Sequence, residues 1–205
     1  RLNQKIVDNL SSIVDDITIE VGLSQDDIVL DIGANDGTLL SNYDSKKFVR
    51  VGCDPAKNIH LDLVKHTDIM IGDFFNYENW VAQVGLKPAR AITTVAMFYD
   101  LDDPNSFVQD IKKVLATDGV WLCQLMTAEP MLASNDLGNV IHEHIEYYSF
   151  KSLVALMERH GLEIYKVLEN DINGGSYQLY IRHYTTGSIE YAEDITPARI
   201  TQWAD

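Results

Sequence analysis

Basic charge, cysteine and long apolar runs are all scarce in this chain. Against 31 Asp and Glu stand only 16 Lys and Arg, a formal net charge of −15 over 205 residues. A surface of that sign repels phosphate backbones and anionic headgroups at long range, so nucleic acid and membrane are not expected partners. A small anionic substrate in a local pocket stays possible. Cysteine occurs only as Cys53 and Cys123, each inside an apolar run. Neither a disulfide framework nor a four-ligand zinc site is available, and no metal centre is expected. No apolar run reaches the roughly 18 residues of a spanning helix, and no charged-then-apolar leader opens the chain, so a soluble, cytoplasmic protein is expected. The first residue is Arg1 rather than Met, and residues preceding it in the natural product are expected.

What is present is an alternation of apolar runs with amphipathic stretches, organised around residues 29–39. There Val29, Leu30 and Ile32 bracket Asp31, and Gly33 and Gly37 follow. This reads as a buried strand entering a glycine-bearing turn and then a helix, where backbone comes close to a nucleotide-type ligand. Before it, Leu2, Ile6, Leu10, Ile13, Val14 and Ile17 recur at helical spacing and predict an amphipathic helix over residues 1–20, ended by Gly22. After it, strands are predicted over 48–53, 69–71, 91–98 and 120–125, with helices over 56–66, 79–84 and 105–115. Asp103-Pro104 opens the last of these helices. Residues 127–148 lose periodicity and read as a long functional loop. A helix then carries Leu153, Leu156, Met157 and His160 on one face up to Gly161, and strands over 163–168 and 177–182 form an antiparallel hairpin about Gly174 and Gly175. The expectation is an α/β fold: a doubly wound, mostly parallel seven-stranded sheet with an antiparallel C-terminal hairpin. One catalytic domain over 25–184 is expected, with a helix over 1–24 packed on it and a polar tail over 185–205.

The turn discriminates between cofactors. A dinucleotide fingerprint wants glycine at the positions held by Gly33, Asn35 and Thr38. Asn35 tolerates left-handed backbone, but Thr38 removes the close helix–strand contact. The acid-x-Gly-x-x-x-Gly spacing of Asp31, Gly33 and Gly37 fits a methionine-like moiety instead, so S-adenosylmethionine is favoured over NAD. Asn35 and Asp36 lie within the same turn. Asp54, at the end of the second strand, is placed to accept both ribose hydroxyls. Asp73, at the end of the third, is placed for the adenine amino group with Phe74 beside the ring, and Met97 at the end of the fourth completes the cofactor set. An Asp at a strand end is more often a turn or helix cap, yet three at successive strand ends outweigh that reading. A sulfonium cation also suits an acidic, water-excluding pocket.

Residues 30–40 (LDIGANDGTLL), 97–104 (MFYDLDDP), 142–148 (HEHIEYY) and 172–176 (INGGS) together resemble the NDP-deoxysugar C-methyltransferases, a family of Rossmann-like class I methyltransferases. The resemblance covers roughly residues 25–184. It implies removal of a proton alpha to a sugar 4-ketone, followed by attack of the carbanion on the cofactor methyl. By that resemblance His144 is the candidate base and Glu143 its supporting or substrate-binding partner, with His142 beside them. An imidazole near neutrality takes a ketone-acidified proton, and a neighbouring carboxylate stabilises the imidazolium. If the segment is extended, His142 and His144 point one way and Glu143 the other. Tyr147 and Tyr148 are potential hydrogen-bond donors to an enolate, Tyr148 being the one retained as a candidate. The family often carries Tyr where this chain has Ile141 and His where it has Met97-Phe98-Tyr99, which makes Tyr99 the candidate replacement. A zinc module ahead of this domain and another domain behind it are usual in the family, so flanking modules join a nucleotide-sugar acceptor as expected partners. The alternatives are O- or N-methylation of a small molecule, or a cofactor-binding domain inactive without its modules.

Overall fold

Seven strands form one sheet in the order β3-β2-β1-β4-β5-β7-β6 in the computed structural model, which describes residues 3–135, 138, 140–142, 144–172 and 175–185. The chain divides into two compact units, Arg1–Thr94 with Lys113–Val120, and Val95–Lys112 with Trp121–Asp205. Arg1, Leu2, Glu143, Asn173, Gly174 and the tail over 186–205 lie outside the described residues. Among the described residues, no helix is long and apolar enough to cross a membrane.

In the first unit, helix α1 (Gln4–Val21) is capped by the Asn3 side chain, which accepts from the Lys5 amide, and ends at Gly22 with φ +62°. It buries Leu10, Ile13, Val14 and Ile17, the stripe expected from their spacing. Strands β1 (Ile28–Ile32), β2 (Val49–Cys53), β3 (Ile69–Ile71) and β4 (Ala89–Val95) follow, with α2 (His60–Leu63) and α3 (Tyr77–Gln83) between them. β1 pairs in parallel with β2 and with β4, and β2 in parallel with β3. Every residue of β1 is buried, as continuous apolar runs in parallel sheets require. The helix expected after the glycine turn is a single 3-10 turn, Leu40–Asn42, and the helix expected over 56–66 contracts to the four residues of α2.

The second unit contains α4 (Pro104–Val114) up to Lys112, the later part of β5 (Leu115–Met126), α5 (Ala128–Ser134), α6 (Phe150–Arg159), β6 (Leu162–Asn170) and β7 (Ser176–His183). β7 runs antiparallel to both β5 and β6. Phe98, Phe107, Trp121 and Tyr148 form its aromatic core, with Phe98 5.3–5.8 Å by ring centroid from the other three. A capping box between Ser149 and Ser152 opens α6.

Three expectations are corrected. β4 stops at Val95 rather than at residue 98, because Ala96 takes φ +55° and turns the chain. β5 starts at Leu115 directly after α4, so Asp118-Gly119 lies within the strand and not in a turn before it. A Cβ on Gly119 would fall 2.9 Å from the Arg90 carbonyl, a close backbone approach that marks glycine within a strand. The stretch 127–148 holds the helix α5, whose Pro130 sits in the first turn, where its missing amide costs little.

Candidate functional site

The first unit gathers the expected cofactor residues at the carboxyl ends of β1, β2 and β3. The turn after β1 is held to the end of β2 by the Gly33 and Ala34 amides, which donate to the Cys53 carbonyl at 2.9 and 3.1 Å. Gly33 has φ +72° and Asn35 φ +50°, so the left-handed tolerance read from Asn35 is used. Its amide donates to Asp54 Oδ2 at 3.0 Å, while Asp54 Oδ1 accepts the Ala56 amide at 2.9 Å. Asp54 is therefore a buried carboxylate that first ties two loops together; each oxygen keeps a second lone pair for a hydroxyl. Its own carbonyl contacts His60 Nε2 at 2.9 Å. His60 is thus a supporting residue that the sequence reading missed, six positions on from the acid it steadies.

Asp36 and Thr38 explain each other. Asp36 Oδ1 accepts both the Thr38 hydroxyl (2.6 Å) and amide (3.0 Å), an Asx turn that shapes the loop from within. Gly37 has φ +81°, and a Cβ there would meet His66 Cβ at 2.9 Å, so glycine is required by the fold itself. Asp31 is 3% exposed and accepts from the Thr93 hydroxyl at 2.6 Å. Burial pushes its carboxyl up to about 7 against the lowering effect of that hydrogen bond, and the nearby Asp54 raises it further. Asp73 is exposed and its Oδ1 accepts the Phe74 amide at 2.7 Å. Its carbonyl accepts from Cys53 Sγ at 3.3 Å, which ties the β3 end to the β2 end. The Phe74 ring is 72% exposed while its carbonyl is held by Asn79, an apolar face available for a planar base. Buried acid, left-handed turn, strand-end carboxylate and open ring together fit S-adenosylmethionine.

The second unit gathers the expected acceptor residues. Met97, expected with the cofactor set at the end of the fourth strand, is instead half-buried in this unit, two residues beyond the end of β4, where it precedes the 3-10 turn Phe98–Asp100. Tyr99 is therefore on that turn and not at a strand end. Its ring lies 4.3 Å by centroid from the His144 ring, and its carbonyl accepts the Ile145 and Glu146 amides at 3.2 and 3.1 Å. Burial pushes the Tyr99 phenol up to about 12, with Asp100 and Cys123 adding to the effect. The His144 amide donates to the Ile141 carbonyl at 3.2 Å, so the segment turns rather than running extended. His142 is exposed and His144 half-buried, so the two do not share the one environment that an extended segment would give them. Glu143 lies outside the described residues. Tyr148 is buried against Phe98, and burial followed by Glu146 raises its phenol.

Thr127 and Glu129, which the sequence reading passed over, also belong to this region. Glu129 Oε1 accepts the Phe150 amide at 2.6 Å, and the Ala128 amide donates to the Tyr148 carbonyl at 2.8 Å. Among the described residues, the Thr127 hydroxyl, Glu129 Oε2 and the Tyr148 hydroxyl are buried with no hydrogen-bond partner. A buried polar atom left so costs about 1–3 kcal/mol, and more if charged.

A methyltransferase domain family profile matches residues 5–167. The chain belongs to the methyltransferase domain family. Its similarity to the C-methyltransferase NovU of Streptomyces niveus is 28% identity over 182 residues, which is 85% of this chain but 42% of that protein. The chain thus spans less than half the length of the curated relative it matches. Among solved structures, magnesium protoporphyrin IX methyltransferase from Synechocystis PCC 6803, with bound S-adenosylhomocysteine, superposes with a TM-score of 0.66 at 9% identity, covering 90% of this chain and 89% of that one. A 1,6-didemethyltoxoflavin-N1-methyltransferase from Burkholderia thailandensis gives 0.64 at 11% identity, with 87% and 78% covered. These likenesses establish the Rossmann-like methyltransferase fold that the strand order shows. The cofactor of such a methyltransferase is S-adenosylmethionine, the one the turn spacing favoured over NAD.

Proposed function

We infer that this methyltransferase methylates a carbon next to the ketone of a nucleotide-activated keto-deoxysugar, with residues 25–184 as the catalytic domain. The observation that carries the reading is the Tyr99–His144 ring contact, with the Tyr99 carbonyl gripping the two amides that follow His144. A base is thereby held in one orientation, within a segment that resembles the family's and in a chain similar to a C-methyltransferase. Asp31, Gly33, Asn35, Gly37, Asp54, Asp73 and Phe74 would hold the cofactor. When bound, it supplies an electrophilic methyl group on a sulfonium and leaves as S-adenosylhomocysteine.

His144 takes the proton from the carbon alpha to the ketone and becomes an imidazolium, and the electron pair passes onto the ketone oxygen as an enolate. The Tyr148 phenol donates a hydrogen bond to that oxygen. The enolate carbon would be the nucleophile toward the methyl group that the bound cofactor supplies, the methyl carbon–sulfur bond leaving its electron pair on sulfur, and His144 returns its proton to solvent once the ketone has re-formed.

The test is solvent exchange. With TDP-4-keto-6-deoxyglucose in deuterium oxide and no cofactor, the alpha proton exchanges in the wild type. Exchange is lost in His144→Ala, which still binds S-adenosylmethionine calorimetrically. Exchange that persists in His144→Ala removes it as the base, and wild type that exchanges nothing yet methylates a hydroxyl or an amine replaces carbon by oxygen or nitrogen chemistry. The 42% coverage of the curated relative favours a second reading, in which flanking modules complete the acceptor site. Turnover by the isolated chain refutes it.

A further inference from the structure

We propose that Thr127, Glu129 and Tyr148 form a subsite that binds the hydroxyl groups of the acceptor. This rests on the keto-sugar reading and extends it to Thr127 and Glu129, which have no assigned role, beside the Tyr148 phenol already placed at the ketone oxygen. Thr127 Oγ1, Glu129 Oε2 and the Tyr148 hydroxyl are each buried without a hydrogen-bond partner among the described residues, in side chains only 1%, 6% and 8% exposed. Native folds satisfy such atoms, and those they leave unsatisfied call for an explanation outside the fold.

The three are not scattered. Thr127 and Glu129 flank Ala128, whose amide is bonded to the Tyr148 carbonyl, and Glu129 Oε1 holds the Phe150 amide two residues beyond Tyr148. These reciprocal bonds join the two stretches, and Glu129 presents one oxygen to the fold while the other is left over.

Thr127 supplies an independent sign. It stands at the N-cap of α5 with extended backbone (φ −119°, ψ 164°), yet its side chain makes no capping bond, although threonine at that position ordinarily caps. Its hydroxyl is withheld from the local role. The raised Tyr148 phenol stays protonated through the neutral range and remains a donor. A carboxylate acceptor and two hydroxyls carried on these two joined stretches match a sugar ring with free hydroxyls, each able to give and receive a hydrogen bond. Tyr148 follows four residues after His144 and packs on Phe98, next to the Tyr99 that contacts His144. The subsite is thus continuous with the candidate base.

Atoms unused by the fold are removable without harm to it, and this separates a ligand role from a structural one. Thr127→Val and Tyr148→Phe delete only the hydroxyls, and Glu129→Gln keeps the oxygen that holds the Phe150 amide. In the S-adenosylhomocysteine-loaded protein, each variant is expected to bind TDP-4-keto-6-deoxyglucose about tenfold more weakly by calorimetry. Thr127→Val and Tyr148→Phe are expected to melt no lower than wild type, and affinity for S-adenosylhomocysteine to be unchanged. A lowered melting temperature in both hydroxyl deletions overturns the proposal, because the groups are then used inside the fold. Unchanged sugar-nucleotide affinity in all three variants also overturns it, with the keto-sugar reading left intact. Wild type that binds the cofactor product but not the sugar nucleotide overturns that reading, and with it the ligand class proposed here.

Discussion

Asp31 makes folding stability depend on pH in the direction opposite to most aspartates. Its carboxyl is 3% exposed with the Thr93 hydroxyl as its short hydrogen bond, and Asp54 adds a like charge nearby. Burial raises it from the ordinary 3.8 to about 7. A folded-state value above the unfolded one means that the native chain holds a proton the unfolded chain has released. The stability is complete below about pH 3.8 and is lost as pH rises towards 7. At about 1.4 kcal/mol per pH unit, the full interval is worth about 4 kcal/mol, a ceiling that any local relaxation lowers.

Asp31→Asn keeps an oxygen for Thr93 and removes the titration. Urea unfolding of both proteins from pH 4 to pH 8 therefore yields a stability difference that moves in favour of the variant by up to about 4 kcal/mol, most of it between pH 4 and 7. Acids that do not face Asp31 titrate equally in both proteins and cancel, the coupled Asp54 being the exception, and any constant effect of the new amide shifts the curve without tilting it. A difference that stays flat across this range refutes the reasoning, because Asp31 then ionises alike in both states.

With Asp31 in the proposed cofactor site, a bound S-adenosylmethionine cation favours the ionised carboxyl, so calorimetry at pH 6 in buffers of different ionisation enthalpy should show net proton release that disappears in Asp31→Asn. Asp54→Ala removes the acceptors of the Asn35 and Ala56 amides. It should cost about 3–6 kcal/mol in urea unfolding, at roughly 1.5–3 kcal/mol per bond to a charged group, and abolish calorimetric cofactor binding. Gly37→Ala forces a side chain into φ +81° and to 2.9 Å from His66 Cβ; a loss of at least about 1 kcal/mol is expected, and unaltered unfolding would show that the turn relaxes freely. Tyr99→Phe keeps the ring against His144 and should retain most alpha-proton exchange, whereas Tyr99→Leu should lower it at least tenfold with cofactor affinity intact.

The parts legible in the sequence were those in which side-chain type alone decides the outcome. Val29, Leu30 and Ile32 are apolar on both faces because a central parallel strand is covered on both, so the strand, its neighbours and the turn after it could be read directly. Boundaries failed where backbone conformation overrode pattern. Ala96 ends β4 through a positive φ that nothing in its side chain announces, and Gly119, a turn residue by composition, sits inside β5 because another backbone passes too close for a Cβ. The site divides in the same way. Spacing singled out Asp31, Gly33, Gly37 and Asp54 as candidates, yet the bonds that Asp54 makes in the fold are to the amides of Asn35 and Ala56. Glu129 was missed altogether because its visible partner is the amide of Phe150, 21 positions on. A sequence displays side chains but not which backbone amides lie open to them. Carboxylates that tie loops together therefore stay hidden, and a carboxylate that does so with one oxygen and leaves the other buried can be recognised only once the chain is folded.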